Sequence, residues 1–209
     1  SALERAGMRK GDVLVSTAGG VERVEDALSC VIGGYAYYPA ASHAGIGDGA
    51  LVTDPGGPLV WLRYPAATGS AVPSLTAPHE TPAALPIRMP VALYEVMHAG
   101  GRQIRVLAPS AEGTPPVAVN AQTIARLGTT LRRRLGISPQ TIRYCAAPAA
   151  SAAGVLLDLL PGIAARQVLV VPREICPDTD TIIGAIGRYQ PDSLVLTRSQ
   201  ADDLAAATL

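Results

Sequence analysis

Residues 141–171 read TIRYCAAPAASAAGVLLDLLPGIAARQVLVV, and this stretch decides the fold class. Thr141–Cys145 is a short strand-like run, Ser151–Ala164 carries helix-forming residues, and Val168–Val171 is a second β-branched run. The alternation continues with a helix over Asp178–Arg188, a strand over Ser193–Thr197 and a helix over Gln200–Ala207. Strands joined by intervening helices must run parallel, because a helical crossover returns the chain to the same end of the sheet. The expectation is an α/β fold of mostly parallel sheets flanked by helices.

Working outward, Asn120–Leu135 has the pattern of an amphipathic helix. Asn120 is a good N-cap, Ile124, Leu127, Leu131 and Leu135 share a face, and Gly136 ends it. Val91–Met97 and Gln103–Leu107 read as strands around Gly100-Gly101, and Ala108–Pro116 as a loop. Prolines 65, 73, 78, 82, 86 and 90 rule out a helix over residues 65–90, which read as an irregular connection. Upstream, Val13–Ser16 and Tyr35–Tyr38 read as strands flanking a helix that stops at Gly33-Gly34. Ala50–Thr53 and Leu59–Leu62 are further strands. The expected organisation is a first α/β subdomain over 1–64, a Pro-rich connection over 65–90 and a second α/β subdomain over 91–209.

Lys+Arg and Asp+Glu are 17 each, which argues against a nucleic-acid partner held by bulk charge. Sixteen of the basic residues are Arg; Lys10 is the only lysine, which restricts every mechanism that needs one. The 48% hydrophobic fraction excludes disorder, and no run reaches the roughly 18–20 apolar residues of a membrane span. Cys30, Cys145 and Cys176 are sparse and odd in number, which suits a reducing, cytoplasmic setting rather than a disulfide scaffold. The start at Ser1 without Met suggests an excised or processed piece.

Familiar catalytic signatures are absent from the sequence. There is no GxxxxGK[ST] loop, no GxGxxG after a strand and no GxSxG elbow. Gly45–Gly49 has the wrong spacing for a phosphate loop and reads as a turn. His43, His79 and His98 are scattered, so no metal site is expected. Cys145, within a strand, reads as a buried structural thiol, and Arg132–Arg134 as a cationic helix end that suits the helix dipole.

Taken in order, several blocks resemble the adenylation domains of nonribosomal peptide synthetases, members of the adenylate-forming acyl and aminoacyl ligases. LERAGMRKGDV (3–13) resembles the family's helix–Gly–Gly-Asp–strand segment, and SCVIGGYAYYP (29–39) resembles its LKAGAAYVPLD. Residues 49–54 resemble the next strand, Leu160–Pro172 resembles LPLLAGATLVLAP, and Ile182–Leu209 resembles LIRRHRVTVLFLTPSLLRALL. The resemblance runs along nearly the whole chain except the 65–90 stretch.

The resemblance implies two binding positions, and both depart from the family pattern. The family grips the ATP phosphates with a Ser/Thr/Gly-rich loop ending in Pro-Lys-Gly. Ser110, Glu112, Gly113, Thr114, Pro115 and Pro116 stand there, with proline where the lysine belongs. Proline offers no N–H to a phosphate, and Glu112 adds a repelling charge. The family's substrate position, Phe-Asp, is held by Ser151-Ala152, which leaves an amino-acid ammonium without a carboxylate. The family's later segments, with the ribose-binding Asp and the lid lysine, have no counterpart in these residues.

The resemblance thus implies a truncated, degenerate adenylation-like domain with no catalytic residue, no cofactor and a structural or docking role. Its expected partner is a neighbouring assembly-line domain or a second copy of the chain. Two alternatives stay open. One is half of an active ATP- and Mg-dependent adenylating ligase completed by another segment; the other is an unrelated α/β binding module.

Overall fold

The computed structural model describes residues 2–42, 46, 56–63, 85–99, 104–109 and 116–207. A short helix α1 (Ala2–Arg5) leads to β1 (Val13–Ser16), α2 (Gly20–Gly33) and β2 (Ala36–Pro39). Then come β3 (Leu59–Arg63), β4 (Leu85–Arg88), α3 (Val91–Ala99), β5 (Ile104–Ala108), β6 (Val117–Asn120) and α4 (Ala121–Leu135). The last part holds β7 (Ile142–Tyr144), a π-helix (Ala153–Leu159) running into α5 (Leu160–Ala164), β8 (Val168–Val170), α6 (Thr179–Tyr189), β9 (Ser193–Leu194) and α7 (Arg198–Ala207).

The strands form two sheets. The first has six strands in the order β4-β3-β1-β2-β5-β6, with parallel pairing at its centre and antiparallel pairs at both edges. The second has three parallel strands in the order β8-β7-β9. β1 is buried along its whole length, as a central parallel strand covered on both faces must be.

Side-chain alternation assigns the layers. Val13, Val15, Val60 and Leu62 point to one face of the first sheet, where Met89 and Leu93 of the α3 region cover them. Leu14, Tyr37 and Trp61 point to the other face, against Ala27 and Cys30 of α2 and Leu159 of the π-helix. Cys145 joins that same cluster, with Leu169 and Val171 packed against it, so the second sheet lies beyond this helical layer. Its far face carries Tyr144, Val170 and Leu194, covered by Ile182 and Ala185 of α6 and Leu204 of α7. The order of layers is therefore helix, sheet, helices, sheet, helices. α4 belongs to the middle layer, where Ile124 packs against Val106, Val119 and Leu160 and Gly128 meets Ala164.

Three sequence expectations change. Val91–Met97 is helical rather than extended. A strand that buried Leu93 and Met97 would also turn Glu95 inward, whereas the helix buries Leu93, half-buries Met97 and leaves Glu95 exposed. Residues 85–88, read as part of an irregular connection, form an edge strand antiparallel to β3, and Pro86 is tolerated there because an edge strand needs no second ladder. Val117–Asn120, given no element from sequence, pairs with β5 and buries Val119. Strands from residues 1–64 and 91–209 share the first sheet. The expected strand at 50–53, the Gly-rich turn at 45 and 47–49, and residues 65–84 lie outside the described residues.

Candidate functional site

The position that the resemblance assigns to the phosphate loop follows β5 in sequence and precedes β6 and α4; β5 and β6 pair antiparallel at the sheet edge. Ser110, Glu112, Gly113, Thr114 and Pro115 lie outside the described residues; Pro116 is half-buried at the entrance to β6. The helix behind it begins cleanly, with the Asn120 side chain accepting from Thr123 N–H at 2.8 Å.

Ser151 sits in the turn before the π-helix. Its hydroxyl donates to the Pro148 carbonyl at 2.7 Å and accepts from Gly154 N–H at 2.9 Å. The side chain is thus spent on closing the turn. Ala152 is exposed and offers no polar atom. Gly154 is required here, because a Cβ at this position would overlap the Pro148 carbonyl oxygen.

The buried polar groups are elsewhere, in the layer between the sheets. Arg143 of β7 reaches the Leu157 carbonyl at 2.9 Å and faces Asp158 at 3.7 Å, both side chains fully buried. Asp158 also accepts from Ala147 N–H at 3.3 Å. From α2, buried Arg23 donates to the Gly154 carbonyl at 2.7 Å. Burial pushes the Asp158 carboxyl up to about 6, against the pull of Arg143, the Ala147 N–H, Arg23 and Cys145. Burial likewise pushes the Cys145 thiol up to about 12, so it stays protonated and is no nucleophile at neutral pH. The expectation of a buried Cys145 holds.

Two further groups brace the first sheet. Asp12 accepts from Leu59 N–H at 2.8 Å, from Trp61 Nε1–H at 2.9 Å and from Arg9 N–H at 2.9 Å. Asp26 of α2 takes a hydrogen bond from Ser16 Oγ at 2.6 Å and pairs with Arg63 of β3. These groups tie loops and layers together, and each carboxylate is engaged by donors of the chain itself. Sequence reading missed them, although a charge inside an apolar run, as in Val155-Leu156-Leu157-Asp158-Leu159-Leu160, is the signal that could have found Asp158.

His98 stacks on Tyr94 with ring centroids 3.8 Å apart, while His43 and His79 lie outside the described residues. Among the described residues no group of three or more His, Cys, Asp or Glu could hold a metal ion. Arg132, Arg133 and Arg134 form the exposed last turn of α4, as expected. No helix among the described residues is long and apolar enough to cross a membrane.

No protein-family model and no curated protein matches the sequence. Solved structures do match. An acyl-CoA synthetase from Brucella canis superposes with a TM-score of 0.64 at 19% identity, covering 99% of this chain and 41% of that one. A four-domain nonribosomal peptide synthetase bound to AMP and glycine gives 0.63 at 17%, covering 99% and 15%. MatB from Rhodopseudomonas palustris gives 0.61 at 17%, covering 98% and 43%.

The chain has the fold of the adenylate-forming ligases.

It spans about two fifths of the length of the single enzymes among these neighbours, 41% and 43%. The mostly parallel α/β architecture expected from sequence is present.

Proposed function

We propose that this chain is a non-catalytic, adenylation-like module with a structural or docking role beside an assembly-line domain or a second copy of itself. The observation that carries the proposal is the composition of the phosphate-loop position. Ser110, Glu112, Gly113, Thr114, Pro115 and Pro116 provide no lysine, replace its backbone donor with a proline and add a carboxylate. A triphosphate held by backbone N–H groups and a cation would lose both kinds of contact there. Ser151 and Ala152 extend the argument to the substrate position, since one hydroxyl closes a turn and the other residue has no polar side chain. On this reading the chain needs no cofactor, takes neither nucleic acid nor membrane as partner, and works in the cytoplasm, where its three free cysteines stay reduced.

The alternative is half of an active ATP- and Mg-dependent ligase. The sequence of strand β6 and helix α4 after that position favours it, because a phosphate loop would need such a scaffold behind it. Acid-dependent pyrophosphate exchange separates the readings. With the full-length protein and a panel of carboxylic and amino acids, exchange at the no-enzyme background is expected. Robust exchange with any acid would establish the ligase reading instead.

A further inference from the structure

Charge is unevenly placed in a chain whose formal net charge is zero. α4 carries Arg126, Arg132, Arg133 and Arg134 and no carboxylate. Beside these arginines, Leu135 is 61% exposed, an apolar side chain at the helix end. The opposite character lies on α6 and α7. There Ile183, Ile186, Leu196, Ala201, Leu204 and Ala205 line an open apolar groove of about 340 Å³. Exposed Asp180, Asp202 and Asp203 stand on the helices that form it, with Arg188 and Arg198 as the basic residues of the same helices. Asp202 makes a long, exposed pairing with Arg198 at 3.8 Å.

The two surfaces lie on opposite sides of the second sheet. α4 rests on α5 in the middle layer, whereas α6 and α7 cover the far face. A surface and its complement on opposite sides cannot meet within one molecule. Between copies they meet head to tail, an arrangement that extends rather than closes unless its rotation forms a ring.

We propose that the last turn of α4 docks into the α6–α7 groove of a second copy, with Leu135 seated in the groove and Arg132 and Arg134 facing Asp180 and Asp202. Exposed ion pairs alone contribute little, so the apolar contact is what makes the site specific, and the arginines orient the approach. Arginine suits the task because its planar fork meets a carboxylate through two hydrogen bonds. One helix end against one groove buries less than the ~1,200 Å² of a stable interface, so the association is weak and concentration-dependent. This inference rests on the second-copy form of the proposed docking role and stands whether or not the chain binds ATP.

Sedimentation velocity on the full chain, over a concentration series at low and high salt, tests it. The expected result is a mean mass that rises past the dimer with concentration and returns to the monomer in high salt. Leu135→Asp should abolish the association by blocking the inserted side chain, and Ala201→Arg by filling the groove. Both positions are exposed, and thermal melts followed by circular dichroism establish that each variant folds. Mixing the two variants should give a 1:1 heterodimer and nothing larger, because one intact helix end then meets one intact groove. A monomer under all conditions, association that survives either variant, or a mixture that stays monomeric would overturn the proposal. So would a chain that stays monomeric while heparin or an acidic protein binds α4 in an arginine-dependent way.

Discussion

Asp158 carries the sharpest consequence at the scale of single residues. Its carboxyl is raised to about 6 by burial, above its ordinary value of 3.8. The folded state therefore holds a proton that the unfolded state has released, and stability falls as pH rises from about 4 through 6. Asp158→Asn removes this slope. The variant should gain stability relative to the wild type as pH increases over that window, by an amount on the order of 2 kcal/mol. Chemical denaturation of both proteins from pH 4 to pH 7.5 measures it, and parallel curves would refute it. Asp12 gives a second case. Asp12→Ala leaves the Leu59 N–H and the Trp61 Nε1–H without their acceptor, and should cost about 3 kcal/mol in urea denaturation. Neither role was legible in sequence. Gly11-Asp12 stands just before a strand-like run, but the Asp12 acceptors serve donors 47 and 49 positions away, and no local pattern encodes such a pairing.

Elements whose signals are local were legible. Asn120 and Gly136 bound α4 as capping chemistry requires, and Asp178 opens α6 by accepting from Thr181 N–H at 2.8 Å. The two caps differ in a testable way. The hydrogen bonds to Thr181 hold the Asp178 carboxyl below its ordinary value, so its contribution is present at neutral pH and is lost as pH falls through that lowered value. The amide cap of Asn120 does not titrate. Amide exchange at Thr181 should therefore lose protection in acid before exchange at Thr123 does. Asn120→Ala should cost about 1 kcal/mol in thermal melts. α3 was misread because Val, Leu and Tyr also suit strands, and only the exposure of Glu95 distinguishes the two registers. The π-helix had no sequence signal. Its widened turn places the Gly154 carbonyl on Arg23, a contact 131 positions apart in the chain. Gly154→Ala should therefore destabilise by about 2 kcal/mol or more in denaturant melts, since the added Cβ meets the Pro148 carbonyl.

Across the whole molecule, alternating strands and helices in 141–207 gave the α/β class, yet the division into two sheets came from long-range pairing. β2 and β5 join across nearly seventy residues, Tyr37 opposite Val106. Packing between the layers adds constraints of the same kind, with Gly20 N–H donating to the Pro172 carbonyl at 2.8 Å. The resemblance placed Ser151 at the family's substrate position, but its use as a turn-closing group required coordinates. The fold is thus that of adenylate-forming ligases, and our proposal is that residues 110–116 of this chain oppose a triphosphate. Calorimetric titration of the full-length protein with MgATP tests that claim most directly. Our account predicts no heat beyond dilution at any concentration up to millimolar nucleotide, and saturable binding in the micromolar range would contradict it.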